Sequence, residues 1–271
     1  MKKQYLLASD FDQTLSFNDS GIILSELLGT SGFPEKVAAL ARLNLVQQGA
    51  ELAYLLRHDP EYRRVRKADL VEVGRRVRLK RNVRLLTTML AEGINGHRFE
   101  FYVISAAPEE VVLAALDGIV PADHIVGTRF DWDAGSGEIA SVTRVAAGFG
   151  KVAAVEERRL QLALPRDQVV YVGDGQSDIP VMLHVNRGDG FTIAASEARE
   201  IAQIAKRTVI SDDVLSVLVP ILEEILAWGP TQIRALFESQ GLMIQEWDRV
   251  RTDWLTFRSD SESGANAVEE G

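Results

Sequence analysis

The chain has 271 residues, enough for one large domain with a substantial insertion or for two modest domains. Its 46% apolar and 25% charged content is that of a soluble globular protein, and the absence of cysteine excludes disulfides, thiolate catalysis and cysteine-ligated zinc. A formal charge of −9 argues against nucleic acid as a partner, and no apolar run reaches membrane-spanning length.

Met1-Lys2-Lys3 begins like a secretion signal, but the apolar run after it is only Tyr5-Leu6-Leu7-Ala8, so a cytoplasmic protein is expected. That run reads as a buried strand ending at Asp10-Phe11-Asp12-Gln13-Thr14-Leu15, where two aspartates at i, i+2 face the mouth of an α/β sheet. Carboxylates this close repel, which implies a cation between or beside them. From Ser16 to about Leu85 there is no convincing strand. Leu24, Leu27 and Leu28, then Val37, Leu40 and Ala41, recur at helical spacing, with breaks at Gly29 to Pro34 and at Asp59-Pro60. Between Arg57 and Arg84 eleven Lys or Arg stand against four Asp or Glu, +7, which leaves −16 elsewhere. The segment reads either as a solvated helical face or as a basic lid that attracts anions.

Asn82 to Ala91 reads as a helix returning to the main domain, and Phe99 to Ser105 as the second strand. Pro108-Glu109-Glu110 opens a helix to about Leu116. His124 to Phe130 is a third strand, followed by hairpin-turn chemistry at Trp132 to Ile139. Lys151 opens an amphipathic helix to about Leu162; Gln168 to Gly173 is a fourth strand and Phe191 to Ala195 a fifth. This alternation predicts a mostly parallel sheet with helices on both faces. Helices are expected over Val214 to Trp228, despite Pro220, and Thr231 to Gln240. The apolar stretch through Trp247, Trp254 and Phe257 packs on the core by this reading; the alternative is a second subunit, giving a homodimer. Ser259 to Gly271 is polar and acidic and is expected to be a disordered tail.

Four stretches in order resemble the motifs of the haloacid dehalogenase-like superfamily: Asp10-Phe11-Asp12-Gln13-Thr14-Leu15, Ile104-Ser105-Ala106, Lys151, and Gly173-Asp174-Gly175-Gln176-Ser177-Asp178. The likeness is to the phosphoserine-phosphatase-like branch, which carries a helical cap after the first motif. The resemblance implies an α/β fold: a Rossmannoid, doubly wound, mostly parallel sheet with an inserted all-helical cap domain. The expected division is 1–15 and 86–258 for the core, 16–85 for the cap and 259–271 for the tail. It further implies that Asp10 attacks phosphorus and that Asp12 is the acid, later the base for water. Ser105 and the Ala106 N–H would hold a phosphoryl oxygen, and Lys151, with Arg144 as runner-up, would neutralise charge. Mg²⁺ would be held by Asp10, the Asp12 carbonyl and Asp174, with Asp178 binding it through water or orienting Lys151.

Together these describe a Mg²⁺-dependent phosphatase acting on a small phosphorylated metabolite through an aspartyl-phosphate. A phosphotransferase or phosphomutase with the same intermediate, or a non-catalytic phosphoester-binding protein, is the alternative. Asp19 sits where phosphoserine phosphatases carry a substrate-contacting glutamate, and Ala106-Ala107-Pro108 replaces their Gly-Gly; both departures point away from phosphoserine. Asp19 reads equally as a substrate contact or as the acid at a helix N-terminus.

Overall fold

Gln4–Ser9 form strand β1 at the centre of the fold, and Leu6, Leu7 and Ala8 have no exposed surface. Both faces of this strand are covered, so its apolar run is continuous rather than alternating. Burying each leucine stabilises the fold by about 1.5–3 kcal/mol. The computed structural model describes residues 3–43, 45–245 and 247, in two compact units, 1–227 and 228–271.

In the first unit, β2 (Arg98–Pro108), β3 (Ile125–Trp132), β4 (Ile139–Arg144), β5 (Val169–Gly173), β6 (Phe191–Ala194) and β7 (Arg207–Thr208) join β1 in one sheet. The order is β4-β3-β2-β1-β5-β6-β7, with only the β3–β4 pair antiparallel. The fold is therefore α/β, as the sequence pattern predicts. The second and fourth strands anticipated from sequence, β2 and β5, flank β1 directly. Three parallel strands thus end side by side at one edge, with Ser105 in the last part of β2 and Asp10 and Asp174 just beyond the ends of β1 and β5.

Helices α1 (Ser20–Leu28), α2 (Phe33–Arg42), α3 (Glu51–His58) and α4 (Lys67–Arg76) occupy the stretch between β1 and α5 (Val83–Glu92). Gly29 ends α1 in the left-handed region, and Pro34 lies in the first turn of α2. The two chain segments entering and leaving this helical stretch pair with each other: Phe17 N–H donates to Arg78 O at 2.9 Å and Lys80 N–H to Leu15 O at 2.8 Å. Helix α4 lies against α6 (Glu109–Ala115) so closely that a Cβ on Gly74 would stand 2.3 Å from the Val111 carbonyl oxygen.

Helices α7 (Phe149–Gln161), α8 (Ile179–Arg187) and α9 (Arg199–Ala202) follow. Leu6, Ile104, Val155, Val181 and Met182 share a core cluster that joins strand and helix residues. The helix expected over Val214 to Trp228 is shorter. A 3₁₀ turn at Val214–Val217 precedes α10 (Leu218–Glu224), which places Pro220 in the first helical turn, where its missing N–H is not needed. In the second unit, α11 (Pro230–Ser239) starts on a proline and buries Ile233 and Phe237. Trp254, Phe257 and the tail expected at 259–271 lie outside the described residues.

Candidate active site

The loop after β1 turns at once. Leu15 and Ser16 N–H both donate to Phe11 O, and Gln13 takes a positive φ of 58°. Thr14 Oγ1 reaches Asp174 Oδ1 at 3.4 Å, which ties the first motif to the fourth. Ser105, at the end of β2, is 1% exposed, and its Oγ accepts the Ala107 N–H at 3.1 Å. The Ser105 hydroxyl proton is thereby left to donate elsewhere. Beyond β5, Gly173 carries the turn; a Cβ there would lie 2.4 Å from Asp178 Cγ, so only glycine fits.

Lys151 is the third residue of α7 and is completely buried. Its Nζ lies 2.5 Å from Asp178 Oδ1 and 2.9 Å from Asp10 Oδ1. Burial alone would pull its pKa down, but Asp10 and Asp178 together overcome that and hold it up, so the ammonium persists. Asp178 is the more fully satisfied carboxylate. Lys151 and the Tyr171 hydroxyl, at 2.6 Å, both donate to Oδ1, while the Asp174 and Gly175 N–H groups, each at 3.1 Å, donate to Oδ2. Arg144 does not enter this site; it pairs with Glu109.

Asp12 is held differently. Its Oδ1 accepts the Ser20 hydroxyl at 2.7 Å and the Ser20 N–H at 3.2 Å, and burial followed by Asp19 raises its pKa well above the usual carboxylate range. Asp19 is the N-cap of α1. Its Oδ1 accepts the N–H groups of Gly21, at 2.8 Å, and Ile22, at 3.1 Å.

A divalent cation suits this set. Asp10, Asp174 and Asp178 each offer an oxygen within 4.8 Å of the others. The Lys151 contact with Asp10 Oδ1 is an ion pair rather than a directed hydrogen bond, and that oxygen has no other donor. Burial and neighbouring acids push Asp10 up to about 6 and Asp174 up to about 8, and Lys151 offsets only part of that crowding. Asp178 belongs to the cluster by distance, yet its acceptor positions are already filled.

A family model for haloacid dehalogenase-like hydrolases matches residues 7–183, which span all four motifs. The chain belongs to that family. No curated protein matches it. Among solved structures, a substrate-bound phosphoserine phosphatase complex is similar at 16% identity and TM-score 0.64, over 80% of this chain and 98% of that one. A phosphoserine phosphohydrolase-like protein from Francisella tularensis is similar at 19% identity and TM-score 0.59, over 81% of this chain and all of that one. A probable phosphoserine phosphatase from Vibrio cholerae is similar at 16% identity and TM-score 0.61, over 84% of this chain and 68% of that one.

In this haloacid dehalogenase-like hydrolase much of the basic segment from Arg57 to Arg84 is engaged in structural contacts. Arg63 and Arg66 pair with Glu138 at 3.7 and 3.5 Å, Arg75 and Arg76 with Glu72, and Arg64 and Arg84 with backbone carbonyls. Lys80 faces the acidic site: burial lowers its pKa, and Asp174 and Asp212 act against that. Between α2 and α3 the backbone passes the site mouth, where a Cβ on Gly49 would lie 2.7 Å from Ser177 Cβ and 3.5 Å from Ala106 Cβ. The sequence reading missed Tyr171 and Ser20. A tyrosine in the middle of a strand buried on both faces must find a partner for its hydroxyl, and that rule points to Tyr171. No comparable sequence signal marks Ser20. Among the described residues no helix is long and apolar enough to cross a membrane.

Proposed function

We propose that this hydrolase is a Mg²⁺-dependent phosphatase that cleaves a small phosphomonoester through an aspartyl-phosphate on Asp10. The observation carrying this reading is the buried Lys151 bridging Asp10 and Asp178, with Asp174 beside them. A fixed cation against a carboxylate at a sheet edge suits an anionic phosphoryl group, and the unsatisfied Asp10 oxygen suits a nucleophile.

Asp10 attacks phosphorus in line with the leaving oxygen, which Asp12 protonates. Asp12 then accepts a proton from the water that hydrolyses the acyl phosphate and regenerates Asp10. The Ser105 hydroxyl and the Ala106 N–H hold phosphoryl oxygens, and Lys151 balances their charge. Asp10, Asp174 and the Asp12 carbonyl would hold Mg²⁺, which supplies charge neutralisation to the transferring phosphoryl group. Asp178, with two donors on each oxygen, orients Lys151 rather than binding metal directly. The substrate is a small phosphorylated metabolite other than phosphoserine. Asp19 Oδ1 is committed to capping α1, and the Gly49 backbone crowds the mouth beside Ala106.

A metabolite panel scored for phosphate release, with water as sole acceptor, tests the reading. Release that needs Mg²⁺ and is lost in Asp10→Asn is expected, with Asp174→Asn partly recovered by raised Mg²⁺. Undiminished turnover in excess chelator would remove the metal assignment, and transfer only to an added acceptor would favour a phosphotransferase.

A further inference from the structure

Asp12 is two residues from the nucleophile, but the structure fixes its side chain from another part of the chain. Ser20 is the first residue of α1 and is 1% exposed. The start of a helix leaves four N–H groups without intrahelical partners. Here three of them are shared between two acids: Asp19 takes those of Gly21 and Ile22, and Asp12 takes that of Ser20. The Ser20 hydroxyl adds a second, shorter bond at 2.7 Å to the same Asp12 oxygen. Among the described residues no donor reaches Asp12 Oδ2.

We infer that Ser20 is a positioning residue for proton transfer, holding Asp12 by Oδ1 so that Oδ2 alone carries the proton to the leaving oxygen. This rests on the phosphatase reading above. Two donors on one oxygen favour the unprotonated position there and leave the proton to its partner. They also stop rotation of the carboxyl group, which a single bond would permit. No bond is made or broken by Ser20 itself. The proton moves from Asp12 Oδ2 to the ester oxygen as the P–O bond breaks, and it is replaced from water in the second step. A serine that only capped the helix would need no contact with Asp12, because Asp19 already serves the next two N–H groups.

The difference is measurable through the leaving group. An alkoxide needs a proton to depart, whereas a nitrophenolate leaves almost unaided. Single-turnover phosphorylation should be followed with glycerol 2-phosphate and with p-nitrophenyl phosphate, in wild type, Ser20→Ala, Ser20→Cys and Ser20→Thr. Ser20→Ala is expected to lose about tenfold to a hundredfold on the alkyl ester, the scale of a misplaced catalytic group. The loss on the aryl ester should be less than about threefold, since little proton transfer is at stake there. Ser20→Thr, which keeps the hydroxyl, should restore most of the alkyl rate. Ser20→Cys, with a weaker donor, should fall between, and it carries the test if the alanine variant does not fold. Equal losses on the two esters, or an undiminished alkyl rate in a folded variant, would overturn the assignment of Ser20. Asp10→Asn run alongside separates this from the broader reading. Turnover by Asp10→Asn, or no release from either ester by wild type, would strike the phosphatase reading itself.

Discussion

Asp178 and Asp12 stand at the same edge of the sheet, and their surroundings divide the site into two halves. Asp178 has no exposed surface and takes four donors, two on each oxygen, from Lys151, Tyr171 and two backbone N–H groups. Asp12 is held by one oxygen through one residue, Ser20, at the start of a helix in the insertion. The first arrangement fixes charge and the second leaves a position free for chemistry. On the proposed mechanism Asp12 must give and take a proton and so cannot be saturated, whereas Asp178 need only hold Lys151.

The comparison is broken most severely at Lys151. Lys151→Met would leave the Asp178 and Asp10 carboxylates buried without their counter-charge, and breaking a buried pair typically costs about 3–5 kcal/mol. Denaturant unfolding should show a loss of this size, and adding Asp178→Asn should recover part of it. Additive losses in the double variant would mean that the two groups do not act as a unit.

Tyr171→Phe tests the same half more gently. It removes one of four donors from Asp178, and a hydrogen bond to a charged group is worth about 1.5–3 kcal/mol. A melting temperature equal to wild type would show that the other three donors suffice. In the other half, Asp19→Ala removes the N-cap of α1 and should cost about 1 kcal/mol. A loss matching that of Lys151→Met would erase the distinction between the halves.

The smallest effect lies away from both. Glu156 is held down at about 2, below its ordinary 4.5, by hydrogen bonds from Arg159 and, more weakly, His184, against its burial. A depressed carboxylate stabilises the fold fully above its unfolded value. Glu156→Gln should therefore cost at most about 1 kcal/mol near neutral pH, as for partly exposed pairs. The gap from wild type should narrow as pH falls below 4.5 and close as it passes about 2, read from denaturant midpoints at each pH. A gap that widens on acidification would reverse the sign of the argument.

The core half was the more legible in sequence. Apolar runs ending at Asp10, Ser105 and Asp174 placed three strand ends, and their adjacency follows from the parallel order of β2, β1 and β5. Lys151 could be found only through its resemblance to the third motif and its spacing before Gly173-Asp174, because a lysine early in an amphipathic helix reads by itself as a surface residue. Strand β7 escaped because Arg207–Thr208 is only two residues long and carries no apolar run. Tyr171 was visible as a strand residue but not as the donor to Asp178, since that pairing depends on how the turn at Gly173 folds back. Ser20 was hidden for a similar reason: nothing local says that a helix N-terminus eight residues further on will meet Asp12 of the first motif. The basic segment shows the limit of counting charge, because Arg63, Arg66 and Arg76 find acids that composition alone cannot pair.

The paired entry and exit of the helical insertion also bear on how the sheet comes together. Gln4 must find Arg98, and Leu6 must find Val169, across long stretches of chain. Once Phe17 has bonded to Arg78 and Lys80 to Leu15, the chain between β1 and β2 behaves as a far shorter tether. Loop-closure entropy grows with the logarithm of length, so the folded insertion lowers the cost of pairing those strands by about 1 kcal/mol. The same two hydrogen bonds fix the distance between the insertion's ends whatever lies between them. Helices could therefore be lengthened, shortened or exchanged inside that clasp while the strand ends that carry Asp10 and Ser105 keep their places.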